Sequence, residues 1–483
     1  MHLQQKLQVS QKGYPHMNLT DLSVEQKCTK AYELIYAGQY EAAKEVLGRL
    51  WRGIGETPAL DYPPEIAAEV LLVCGSLTGW LGSSKQIDAQ EKAKDLLTQA
   101  LNLFQSLGNR EKVSEVQYEL GICYWRLGAF DEARIVFNEA LEGAREVGKV
   151  LITRTTVEIS TGHYHEAWRM LDEARSSFDE SNHALKGRWH AQMALVLRRL
   201  AQAENKIEYF DRAIVEYTAA IYHYEEAGHV RYCATNLNNI AFLLYKLGHY
   251  TEAHEHLDRA HKFLERLKDI GLLAQVDETR ARVLLAEKKY KEARRVIIGV
   301  VDTLSRGGER ALLADALTIK AIAQARLGDY EYSIMTFRFA TEVAEKAGAK
   351  TNAAQAAISM IEEHRARLSE YELFNLYNRA DKWLSDTQDA EHLARLRFCA
   401  RIVTQKLFGK QFGDPLFSLQ DVVAKYEARF IEEALQESKG KVTQAAKLLG
   451  ITHQSLASKL RSRHKHLLKK RRPVHKRKRK RKQ

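Results

Sequence analysis

One pattern constrains this chain more than any other: small, x, aromatic, x, x, Ala, x, x, x, large apolar, recurring at least six times. A clear copy is Gly128, Phe130, Ala133, Phe137, Ala140, and others run from Gly38 through Ala43, Gly162 through Ala174, Gly248 through Ala260 and Gly328 through Ala340. With the central small residue as register mark, the units fall at Ala43, Ala93, Ala133, Ala167, Ala213, Ala253, Ala293 and Ser333, mostly 40 residues apart or close to it. Twelve residues before the mark, six of the eight units carry a second small residue: Ala31, Gly121, Ala201, Ala241, Ala281 and Ala321. Small residues at matched height let two helices approach closely, and the aromatic after the turn wedges against the next unit, so each repeat reads as a stacking helical hairpin.

No proline occurs between Pro64 and Pro415, as a long succession of uninterrupted helices requires. The pattern therefore predicts an all-α chain, an α-solenoid. The repeat resembles the tetratricopeptide family in its longer variety, over residues 25 to 348. It departs from that family in lacking the proline near the end of each unit, and in a longer turn between Gly82 and Gln90. The expected organisation is a flexible arm at 1–20, a tetratricopeptide-like array at 21–348 and additional helices at 349–411 extending or capping it.

The resemblance implies that polar positions of each first helix line a concave face that binds peptides or partner proteins. The run Thr235-Asn236-Leu237-Asn238-Asn239-Ile240-Ala241 stands out, because asparagine is a poor residue for a helix interior. A carboxamide can pair with both N–H and C=O of an extended peptide, so Asn238, Asn239, Phe242 and Lys246 are the expected partner groove; local packing or solvation is the competing explanation. Among the nearby histidines only His254 and His261 share a helix face, two turns apart, so no metal site is expected.

Charge singles out the other end of the molecule. The last acidic residue is Glu437, and residues 438–483 hold 18 Lys and Arg; with the whole chain at +12, residues 1–437 sum to −6. A mildly acidic body with one strongly basic end suits a polyanionic partner at that end. Within it, Ala445, Ala446, Leu449, Ile451, Leu456 and Leu460 have the order of two helices crossing at a sharp turn, with Gly450 ending the first and Thr452 capping the second. This stretch resembles the Fis-type helix-turn-helix, expected at 412–463. The resemblance implies a groove-facing set Thr452, His453, Gln454, Ser455 and Ser458, phosphate contacts from Thr443, Gln444, Lys459 and Arg461, and a homodimer through 419–435. Lys441, His453 and Ser458 depart from the family's usual residues, which weakens the expected base readout. Residues 464–483 are expected to form a disordered basic tail that adds salt-sensitive affinity.

Other classes find little support. There is no GxxxxGK[ST], GxSxG or HExxH, so neither catalysis nor a cofactor is expected. Cys28, Cys74, Cys123, Cys233 and Cys399 form no CxxC pair, which points to reduced, buried thiols. No apolar run approaches the roughly 18 residues that would span a bilayer, and no membrane partner is expected. The reading is a bacterial, cytoplasmic and nucleoid-associated DNA-binding protein, a transcriptional regulator whose array binds a peptide or protein. The alternative is a non-catalytic scaffold with a tail that binds nucleic acid non-specifically.

Overall fold

The computed structural model describes residues 22–470 apart from 83–87, 178, 180, 205, 308, 386, 388 and 409–418. The expected arm at 1–20 and most of the expected tail lie outside these residues. The described residues form 22 α-helices and no strand. They fall into two compact units, with the boundary between Val403 and Thr404.

The first unit is a stack of hairpins: α1 (Val24–Tyr36) with α2 (Tyr40–Leu47), α3 (Pro64–Gly82) with α4 (Ala89–Ser106), and α5 (Arg110–Leu127) with α6 (Phe130–Gly143). There follow α7 (Val147–Ser160) with α8 (Tyr164–Arg175), α9 (His183–Glu204) with α10 (Glu208–Glu226), and α11 (Val230–Leu247) with α12 (Tyr250–Leu267). The last are α13 (Ile270–Ala286) with α14 (Tyr290–Ser305), α15 (Arg310–Leu327) with α16 (Tyr330–Lys346), α17 (Lys350–His364) with α18 (Glu370–Trp383), and the single helix α19 (Ala390–Phe408). Helices α17 and α18 pack on the preceding hairpin and on each other, and α19 meets α17 through Arg395 with Glu362 at 2.7 Å.

All eight register marks sit on even-numbered helices and are fully buried. Their partners twelve residues earlier lie on the odd-numbered helices, where Ala31, Ala241, Ala281 and Ala321 are also fully buried. The two units without a small residue there have Leu81 and Thr155, and Thr155 hides its hydroxyl by donating to the Ile152 carbonyl at 2.6 Å. Where serine replaces alanine, Ser333 Oγ donates to the Ala321 carbonyl at 2.7 Å and lies 2.8 Å from Nε2 of the buried His364. Glycines at the hairpin turns take the left-handed conformation that ends a helix without a Cβ clash, as at Gly128 and Gly248, φ 77° and 85°. All five cysteines are free and buried.

The sequence reading needs one correction in this unit. The window Pro64–Leu81 is long and apolar enough to cross a membrane, yet 67% of it is buried inside the array. Its apolar side chains, Leu71, Leu72 and Leu77 among them, form the cores that α3 shares with its neighbouring helices.

Contacts across the concave side close the array on itself. Tyr32 Oη on α1 donates to the Glu119 carboxylate on α5 at 2.9 Å. The turn after α1 meets the start of α11: Tyr36 lies edge-on to His229 at 6.3 Å, and the Arg231 guanidinium lies 5.1 Å from the Tyr40 ring. Further along, Lys246 on α11 pairs with Glu391 on α19 at 2.7 Å.

The second unit contains α20 (Leu419–Glu437), α21 (Val442–Leu448), α22 (His453–Ser462) and a 3-10 turn at Lys465–Lys470. Its core is Ile431, Ala434, Leu435, Ala445, Ala446, Leu456, Leu460 and Leu467. The helix-turn-helix expected at 412–463 therefore continues further than its boundary: His464 and Leu467 are buried at 2% exposure each, where a solvated tail was expected from 464.

Candidate DNA interface and concave chamber

Two short helices and one turn position the basic end. Helix α21 stops at Gly450, whose left-handed φ of 63° lets the Ile451 N–H reach the Ala446 carbonyl at 3.0 Å. Thr452 then caps α22, its hydroxyl accepting from the Ser455 N–H at 3.1 Å. Ala445 and Ala446 let the two helices cross closely, while Leu456 and Leu460, both fully buried, hold α22 in place.

This arrangement sorts the residues singled out in the sequence. His453, Gln454, Ser458 and Arg461 are exposed on α22, Thr443 and Gln444 are exposed on α21, and Ser455 is half-buried. Thr452 is committed to the cap. Lys459 faces inward, bonded to Glu427 on α20, which also lies 2.8 Å from His464 Nε2. Those two partners, Lys459 foremost, hold the Glu427 carboxyl below its ordinary range. A phosphate contact from Lys459 therefore competes with an internal ion pair. The exposed cations Lys441, Lys447, Arg463 and Lys465 went unassigned in the sequence, although the absence of any acidic residue after Glu437 was the available signal. On α20, Val423 and Phe430 are 50% and 55% exposed.

In the array, the expected groove residues do not line one open surface. Asn239 borders a partly open chamber of about 270 Å³ whose wall is contributed by α1, α3, α5, α7 and α9 to α11. Asn236, unassigned in the sequence reading, borders it too and is only 3% exposed. The Asn238 carboxamide oxygen is buried without a hydrogen-bond partner. Phe242 is half-buried, with the Arg198 guanidinium and the Lys246 ammonium each 5.8 Å from its ring. Lys246 itself is engaged by Glu391. His254 and His261 each face carboxylates: Nε2 of His254 is 2.8 Å from Glu287, and Nδ1 of His261 is 3.5 Å from Glu265.

Comparison with known proteins agrees with both halves of this description. A tetratricopeptide repeat family model matches residues 75–146, and the model of the bacterial regulatory protein Fis family matches residues 422–462. Both families act by binding, typically without catalysis. A search of curated proteins finds no match. Among solved structures, a Rap protein complexed with competence and sporulation factor is similar at TM-score 0.47 and 17% identity, over 74% of this chain and 99% of that one. Yeast Tom70 is similar at TM-score 0.45 and 15% identity, over 84% and 75% of the two chains. Aspartyl phosphate phosphatase F from Bacillus subtilis is similar at TM-score 0.44 and 14% identity, over 78% and 94%. The chain thus carries tetratricopeptide repeats followed by a C-terminal helix-turn-helix of the bacterial Fis type.

Proposed function

We propose that this is a bacterial, sequence-specific DNA-binding regulator of transcription, acting in the cytoplasm on the nucleoid, whose repeat array binds a peptide or protein partner. The observation that carries the DNA reading is the exposed face of α22. His453, Gln454, Ser458 and Arg461 project from a helix pinned by Leu456 and Leu460, in a stretch without a carboxylate after Glu437. In this reading Gln454, Ser458 and His453 meet base edges in a major groove, and Arg461, Thr443 and Gln444 reach phosphates. Val423 and Phe430 on α20 supply the apolar contact of a homodimer, placing two such helices on successive turns of DNA.

The test separates the helix-turn-helix from the basic segment beyond it. The cut belongs after Lys470, since removing His464 and Leu467 takes away buried core. Deleting residues 471–483 removes nine Lys and Arg. It should flatten the salt dependence of affinity while leaving the preferred site unchanged in binding-site selection. Replacing Gln454 and Ser458 by alanine should change that preference. An unaltered preference in the double variant would overturn the reading in favour of a scaffold that binds nucleic acid without choosing sequence. Partner binding is read by crosslinking mass spectrometry of the wild type against Asn238→Ala and Phe242→Ala, and unchanged partners would remove the groove assignment.

A further inference from the structure

The chamber has a chemistry of its own, distinct from that of the DNA-binding face. Its wall is rich in aromatic rings, Tyr36 and Tyr224 among them, but three polar atoms on it have no hydrogen-bond partner: Gln192 Oε1, Asn236 Oδ1 and Tyr217 Oη. Asn236 is held in place by its own amide, which donates to the Tyr232 carbonyl at 2.7 Å and leaves the oxygen free. Orphaned buried carbonyl oxygens call for an N–H or O–H donor.

The chamber also presents a guanidinium that no carboxylate pairs directly. Arg188 borders it, donating from Nη1 to Tyr118 Oη at 2.8 Å and lying 5.8 Å from the Tyr36 ring. Behind the wall, the Lys149 ammonium sits 4.7 Å from the Tyr118 ring and the Arg126 guanidinium 3.9 Å from the Trp80 ring. None of these three cations makes an ion pair within 4.0 Å among the described residues; Glu119 is the one carboxylate bordering the chamber, and Glu115 and Glu146 line the spaces beside Lys149 behind the wall. A buried charge is costly without a counter-charge, and aromatic faces offset that cost only in part. One anionic group placed against Arg188 would give that guanidinium the direct partner it lacks. A dianion would be poorly matched, because the remaining wall is aromatic and Glu119 is already present.

We propose that the chamber is a receptor site for a small monocarboxylate with a planar or apolar body and an N–H or O–H donor. Arg188 would take the carboxylate, and Gln192 and Asn236 the donor. At about 270 Å³ the space admits a molecule on the order of ten to fifteen non-hydrogen atoms. Since α1 supplies Tyr32 and Tyr36 to the wall, such a ligand would also fasten the first hairpin to the rest of the array.

Titration calorimetry on the full chain tests this with matched pairs: N-acetylphenylalanine and 4-hydroxyphenylacetate, each against its neutral amide, with phenyl phosphate as a third arm. The acids should bind, the amides at least about tenfold more weakly. Arg188→Met should abolish acid binding while its circular dichroism and DNA binding without ligand stay as in the wild type. If Arg188→Met does not fold, Ala191→Leu, which fills the chamber from its wall, should remove binding instead. Equal binding of acids and amides, no binding of either acid, tighter binding of the phosphate, or full binding in the folded variant would each overturn the proposal.

Discussion

Replacing Gly121 by alanine tests the close helix approach on which the whole array depends. A Cβ built at Gly121 would lie 2.7 to 2.8 Å from three ring atoms of Phe137, which is fully buried on the facing helix α6. Carbon atoms rest at about 3.5 to 4.0 Å, so the ring or the helix must retreat by roughly 1 Å, an overpacking cost of about 1 to 3 kcal/mol. Against this, alanine gains about 0.8 to 1.0 kcal/mol over glycine inside a helix. Steric cost wins, and the expected net effect is about 1 kcal/mol of destabilisation around α5 and α6. Gly299, inside α14 with nothing within 4 Å of its Cβ position, is the control, and alanine there should stabilise by about 0.8 to 1.0 kcal/mol. Because a repeat array need not unfold in one step, amide hydrogen exchange resolved by helix is the suitable assay. Gly121→Ala with protection equal to or better than wild type would refute the claim that this small residue sets the helix spacing.

Three further outcomes follow from named contacts. Thr452→Ala removes the cap of α22 and should lower protection of that helix by about 0.5 to 2 kcal/mol, with no change in the array; equal protection would show that the cap is idle. Glu427→Gln should destabilise the second unit by about 1.5 to 3 kcal/mol, because it strips both Lys459 and the buried His464 of their carboxylate. Since that carboxyl is held low in the folded state, its contribution exists above the ordinary carboxylate range and disappears as pH falls through the lowered value, so wild type and variant should converge in acid. Convergence at neutral pH would contradict this. His223, pushed down to about 4 by burial and by its neighbours His190 and His183, favours its neutral form in the fold; stability should therefore fall as pH drops from about 6.5 toward 4, and His223→Gln should flatten that slope in melting curves.

The small-residue register was legible from sequence because it is a local requirement: the eight marks and their partners twelve residues earlier all concern one hairpin. The long-range contacts were not, since Tyr32 with Glu119 and Lys246 with Glu391 meet across 87 and 145 residues, separations that no local periodicity encodes. The same blindness explains Lys459, whose partner Glu427 sits 32 residues earlier on a different helix. His464 and Leu467 were legible in principle. They continue Leu460 at helical spacing, a signal masked by the surrounding Lys and Arg.

Closure also divides the proposed groove energetically. At one end Asn236 and Asn239 border a chamber walled in part by the first hairpin, which the Tyr36, Tyr40 and Arg231 contacts and the part-buried Tyr32 to Glu119 hydrogen bond hold in place. At the other end the barrier is the Lys246 to Glu391 pair, a surface ion pair of the kind worth at most about 1 kcal/mol. Releasing it would weaken apparent partner affinity by less than about tenfold. The proposed peptide or protein partner is therefore favoured to approach α11 from Lys246 and Phe242, while the Asn236 and Asn239 end is left to the small ligand proposed for the chamber.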